Sequence, residues 1–176
     1  IMLAEVRRGR QQEVSSLYDD AVAALDKAVK LAPENHLLAE KLGVARLGQG
    51  DTRRADGRDP SSSYEAAIDC FDTSLRLFGR NVRAFEGRGM ARVGQAMWIE
   101  RSGGGITDLC RTAQDDFTKG IAIQEMPSLL CNRALTRTAL GETAGALSDY
   151  RRALEIAPKG WPHRAYVEGM LKKLGQ

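Results

Sequence analysis

Apolar residues recur along this chain with the three-to-four spacing of helices, and two stretches far apart share one pattern. Ala21 to Pro33 reads AVAALDKAVKLAP, and Ala146 to Pro158 reads ALSDYRRALEIAP. Each carries a small residue, a bulky one four positions on and a second small one three beyond that. This spacing puts all three on one helix face, and a proline closes the helix. The triplet Ala21, Leu25, Ala28 returns as Ala67, Phe71, Ser74, then as Ala113, Phe117, Gly120, then as Ala146, Tyr150, Ala153, at intervals of 46, 46 and 33 residues. A register kept at three positions through four copies is an internal repeat.

The later triplets each follow another helical stretch: EKLGVARLGQG, EGRGMARVGQA and CNRALTRTALG. These carry Gly43, Gly89 and Ala134 at matching places, an arginine three residues on (Arg46, Arg92, Arg137) and a glycine near the end. One unit is therefore a helix, a turn and a second helix, with small residues where the two meet. Small side chains let helix axes approach toward the short end of the ~8–10 Å range. One such pair cannot bury its apolar face alone, so the units stack.

Residues 127–160 resemble a 34-residue tetratricopeptide repeat (TPR) nearly position for position. Leu130 falls at repeat position 4, Ala134 at 8, Gly141 at 15, Ala146 at 20, Tyr150 at 24, Ala153 at 27 and Pro158 at 32, with Arg133 at position 7 as the marked departure. The two preceding units fit with twelve extra residues each between their helices, which places Gly50 and Asp51 at the turn of the second unit. The resemblance implies an all-α right-handed solenoid of about four helix-turn-helix units, near 1–35, 36–81, 82–126 and 127–160, with a capping helix over 162–174. In that cap Ala165, Val167, Met170, Leu171 and Leu174 are the apolar members. The first unit is the least regular, with a ragged first helix before Tyr18.

The insertions are what a plain repeat does not require. DTRRADGRDPSSS reads as a solvated loop in which Asp59-Pro60 introduces the next helix, so removal of residues 52–62 is expected to leave a folded chain. MWIERSGGGITD reads as a lengthened first helix through Met97 and Ile99 that breaks at Gly103 to Gly105. A glycine turn before a helix can hold phosphate, but no GxxxxGK[ST] motif and no strand accompany this one. Gly87, Gly89 and Gly94 lack dinucleotide-binding spacing and read as helix contacts.

Composition narrows the class. With 43% hydrophobic and 28% charged residues the chain is ordinary for a globular protein, and only 6% aromatic residues leave a core of Ala, Leu, Val and Ile. No apolar run reaches the ~18 residues that span a bilayer, so no membrane is expected. The net charge of +3 comes from interleaved signs. The denser basic patches, Arg7 to Arg10 and Thr52 to Arg58, are short and lack aromatics, which disfavours nucleic acid. Cys70, Cys110 and Cys131 form no CxxC pair and suit a reducing, cytoplasmic setting. The chain begins at Ile1 and reads as an excised or processed piece, and its Arg-, Ala- and Gly-rich composition fits a GC-rich bacterial genome.

No catalytic, cofactor or metal site is expected. His36 and His163 stand apart without ligand partners, Cys131 has no base beside it, and Asp115-Asp116 reads as a solvated helix face. The TPR resemblance implies instead that repeat positions 2, 5, 9 and 12 of each first helix line a concave groove. Those are Leu37, Glu40, Val44 and Leu47; Arg83, Glu86, Met90 and Val93; and Ser128, Cys131, Leu135 and Thr138. The family's clamp for chaperone C-termini uses Lys at position 5 and Asn at 9. Here Glu40 with Val44 and Glu86 with Met90 occupy those places and disfavour that ligand. The resulting expectation is a non-catalytic scaffold binding a protein or peptide with apolar and basic residues. The alternatives are a regulatory segment of a larger bacterial protein and an RNA or polyanion binder using the Arg-bearing loops.

Overall fold

The computed structural model describes residues 2–175, with side chains from residue 13 onward, and among them every regular element is a helix. In chain order these are α1 (Met2–Leu31), α2 (His36–Ala55), α3 (Ser61–Leu77), α4 (Val82–Glu100), α5 (Thr107–Ile123), α6 (Pro127–Ala139), α7 (Thr143–Ile156) and α8 (Arg164–Leu174). Each helix packs on its chain neighbour, and α2, α4 and α6 also touch in succession, which is a layer of first helices backed by a layer of second helices. Three complete helix pairs result, α2–α3, α4–α5 and α6–α7.

The first unit departs from the expected pair. Its ragged first helix is continuous with its second, so 30 residues form the single helix α1. No proline or glycine turn interrupts the segment between Gln11 and Ala32 to fold it back. The side chains of Arg7 to Arg10 lie outside the described residues.

The triplets form the core. Ala67, Phe71, Ser74, Ala113, Phe117, Ala146, Tyr150 and Ala153 are completely buried, and Gly120 is buried with them. The facing glycines explain how the rings fit. A Cβ on Gly43 would lie 2.8 Å from the Phe71 ring, one on Gly87 2.3 Å from the same ring, and one on Gly89 2.5 Å from Phe117. Phe71 is therefore a wedge between α2 and α4. Ala146 packs against Ala134, Tyr150 and Val167 with no space beside it. We expect Ala146→Leu to overpack this contact and cost ~1–3 kcal/mol in a thermal melt. An unchanged melting temperature would refute the packing of α6 on α7.

The extra residues are mostly helix, which corrects the reading of residues 52–62 as a dispensable loop. α2 has 20 residues where α6 has 13, and α3 has 17 where α7 has 14, so only two of the twelve lengthen the connection. The true turn glycines are Gly57, Gly103 and Gly141, with φ of 72°, 77° and 77°. In each turn the glycine N–H returns to a carbonyl three residues back, and the next N–H to one five back. The three five-residue returns are Arg58 to Arg53, Gly104 to Ile99 and Glu142 to Arg137. This is the Schellman closure of a helix. Gly50 and Asp51, assigned to a turn from the sequence, lie inside α2, with Gly50 against the Tyr64 ring and Gly94 of α4 on its other side. Seven residues are close to two helical turns, so the insertion lengthens α2 without rotating its buried face. At the start of α3 Pro60, not Asp59, is the N-cap, and the Asp59 Oδ1 one residue earlier accepts from the Ser61 N–H at 2.9 Å.

At the far end Val167 is buried, and Met170, Leu171 and Leu174 pack with it beside Tyr150. Ala165, grouped with them in the sequence, is instead exposed.

Candidate concave groove

The first helices α2, α4 and α6 present their outer faces side by side. Val44, Met90 and Leu135 occupy the same place on each and remain 49%, 41% and 37% exposed. Beside Met90 and Leu135 lies a pocket of about 180 Å3, lined also by Val93, Met97, Asn132, Asp51 and Arg54 and not by Val44. Met97 follows Met90 by seven residues and is also exposed, so the lengthened α4 carries the apolar stripe two turns further.

The remaining groove candidates divide between surface and interior. Leu37 and Arg83 are exposed, while Glu86, Ser128 and Thr138 are half-buried. Asn132 Nδ2 donates to Glu86 Oε1 at 3.4 Å, joining α6 to α4 across the groove floor. Thr138 Oγ1 donates to the Ala134 carbonyl on its own helix. Two candidates are core residues and line no groove. Leu47 packs with Tyr64, Ala67 and Phe71. Glu40 is buried, and Asn81 Nδ2 donates to its Oε2 at 2.8 Å and to Ser74 Oγ at 2.9 Å, while Ser74 Oγ donates to the His36 carbonyl. A carboxylate tied into an interhelical network is poorly placed to meet a ligand. Val93 packs half-buried on Ala113, Phe117 and Leu129. Cys131 packs half-buried on the Tyr150 cluster, and burial pushes its thiol up to about 11. A thiol so raised is a poor nucleophile at neutral pH.

Sequence reasoning missed a repeated ion cluster behind the groove. Asp116, expected on a solvated face, is 1% exposed. Arg88 and Arg92 of α4 both donate to it, and Arg88 also reaches Asp72 of α3. The unit below repeats this arrangement. Arg133 donates to Asp149 from Nε at 2.9 Å and from Nη2 at 2.7 Å, and Arg137 Nη1 adds a third bond at 2.7 Å. Each cluster joins two arginines four residues apart on a first helix to an aspartate that directly precedes the core aromatic of the second. Burial opposes the charge on Arg88, yet the hydrogen bonds it donates to Asp116 and Asp72 hold its guanidinium above the ordinary range. The departure at Arg133 from the usual TPR pattern is one half of such a cluster.

Of the basic patch Thr52 to Arg58, Arg54 donates to Tyr64 Oη at 3.0 Å and lies near Asp51, and Arg58 pairs with Asp56 at 2.6 Å. Tyr64 in turn donates to Asp51 at 2.8 Å, and burial first, then this aspartate, pushes its phenol up to about 12. Gly103 to Gly105 form the exposed closure of α4, not a cradle at a helix start. Among the described residues no cluster of three His, Cys, Asp or Glu side chains could hold a metal, and no helix is long and apolar enough to cross a membrane.

The architecture defines a helical-repeat solenoid with an open apolar face. Family models for the tetratricopeptide repeat match residues 7–56 and 127–159. These two segments of the chain are tetratricopeptide repeats. Solved structures with the same fold include the first TPR of Spaghetti (RPAP3) bound to the HSP90 peptide SRMEEVD. It is 20% identical with a TM-score of 0.55, over 76% of this chain and 93% of that one. A thermophilic TPR protein of Thermus thermophilus aligns over 98% of this chain and all of its own, at 19% identity and a TM-score of 0.50. Human IFIT1, solved as a dimer with PPP-AAAA, aligns over 94% of this chain and 44% of its own, at 14% identity and a TM-score of 0.55. A search of curated protein sequences gives no match.

Proposed function

We propose that the concave face of α2, α4 and α6 binds a peptide segment that offers apolar side chains to the Val44–Met90–Leu135 stripe and basic residues to its flanks. The observation that carries this reading is the stripe itself. Three apolar residues at one repeat position stay open to solvent, and two of them, Met90 and Leu135, line a pocket of about 180 Å3. Such a contiguous exposed apolar surface on a folded chain marks an interaction site. Methionines at Met90 and Met97 adapt their packing to a partner better than branched residues would.

The charges at the rim choose among peptides. The RPAP3 domain holds a peptide ending in Glu-Glu-Val-Asp. Here Glu86, which accepts from Asn132, occupies the repeat position where a lysine would favour such a terminus, and Asp51 lines the pocket beside its partner Arg54. Like charges facing each other across an interface cost several kcal/mol, so a basic flank suits this groove and an acidic tail does not.

The test is a peptide selection from a random displayed library, followed by titration of the selected peptide. We expect Met90→Glu to weaken binding roughly a hundredfold, ~2.7 kcal/mol, because a carboxylate pressed against an apolar ligand loses its water without compensation. Helical content is expected to hold, since Met90 already meets solvent. Equal affinities for wild type and variant would place the site elsewhere.

A further inference from the structure

A second apolar surface lies at the other end of the solenoid, on α1. Val14, Leu17, Ala21, Ala24, Ala28 and Leu31 follow one another at alternating spacings of three and four, which aligns them along one side of the helix. Leu17 is 62% exposed, Leu31 88% and Val14 43%. The repeat shows that this is a face built to be covered. The equivalents of Val14, Leu17, Ala24 and Leu31 are Ser63, Cys70 and Leu77 on α3 with Pro60 just before it, and Leu109, Asp116 and Ile123 on α5 with Ile106 just before it. None of these eight is exposed. On α3 and α5 the first helix of the same unit covers them, as the Ser63 Oγ bond to Gln49 on α2 and the Arg88 and Arg92 bonds to Asp116 show. Among the described residues no such helix packs against α1, because residues 2–12 continue it as a single helix.

We propose that a second copy of this chain covers this face, through an antiparallel α1–α1 contact about a two-fold axis. The stripe is self-complementary in that direction. With the axis midway between Val22 and Ala23, Val14 falls opposite Leu31 of the second copy, Leu17 opposite Ala28 and Ala21 opposite Ala24. Large residues thus meet at the ends, and alanines in the middle let the axes approach to ~8 Å. The bordering charges agree. Asp20 and Lys27 are exposed on the side of the stripe away from α2, and the same antiparallel register sets Asp20 beside Lys27 of the second copy, twice by symmetry. A parallel pairing would carry the Asp20 and Lys27 borders of the two copies to opposite sides of the contact, where they do not meet. The surface is separate from the concave groove, so the dimer would present two grooves.

Sedimentation velocity across a concentration series of the whole chain reads this directly. The wild type is expected to dimerise reversibly, and Leu17→Glu to remain monomeric with unchanged helical content, because the side chain is already exposed in a single chain. Lys27→Glu, which faces Asp20 of the second copy, is expected to weaken association roughly tenfold, and adding Asp20→Lys to restore it. If Leu17→Glu disturbed folding, the charge pair would read the interface alone. A wild type that stays monomeric throughout, a dimer indifferent to Leu17→Glu, or a charge swap that fails to restore association would each overturn the proposal.

Discussion

Replacing Asp116 by alanine is expected to lower stability by ~3–5 kcal/mol, a larger loss than any surface substitution in this chain would cause. The magnitude follows from what remains behind. Arg88 and Arg92 are largely buried and both donate to this carboxylate, so its removal leaves Arg92 with only the Thr112 carbonyl and Arg88 with only Asp72 as partner. Removing one partner of a buried pair is costly in a way that removing the whole cluster is not. Simultaneous replacement of Arg88, Arg92 and Asp116 by apolar residues of similar size is therefore expected to recover much of the loss. Urea unfolding monitored by circular dichroism distinguishes the cases. If Asp116→Ala unfolds at the wild-type midpoint, the cluster is solvated and contributes little. Asp149→Ala in the next unit is expected to behave the same way, because Arg133 and Arg137 hold it in the same geometry.

The repeat and its core were legible because the cause is periodic. Whatever fills the space between helices must recur whenever the same contact recurs, so Ala67, Phe71 and Ser74 predict Ala113, Phe117 and Gly120. The two insertions misled for a related reason. Gly50 stands where a turn glycine would stand in a shorter repeat, and nothing local separates a glycine that ends a helix from one that admits a ring. Only the later Gly57 and Gly103, with their positive φ, end α2 and α4. The ion clusters were invisible because an aspartate beside an aromatic looks solvated until the partner arginines on another helix are known. The same holds in the groove, where Val44 and Leu47 look alike in the sequence, yet one faces water and the other the Phe71 cluster.

Phe71→Ala is expected to destabilise the chain by ~3–5 kcal/mol, and the two glycines beside the ring make the reason testable. The side chain is completely buried between α2 and α4, so its loss leaves a cavity that joins two units. Gly43 is glycine because a Cβ there would lie 2.8 Å from the ring, closer than real contacts allow. Outside such a contact, glycine inside a helix is worse than alanine by ~1 kcal/mol. Gly43→Ala alone is thus expected to destabilise, because the ring must shift within a filled core. In the Phe71→Ala background the same change has room, and both the propensity gain and the partial filling of the cavity favour it. A double-mutant cycle by urea unfolding should therefore show Gly43→Ala changing sign between the two backgrounds. If Gly43→Ala costs the same in both, the ring does not press on α2 at that point. Phe71 would then be an ordinary core residue and not the wedge that sets how closely the second and third units stack.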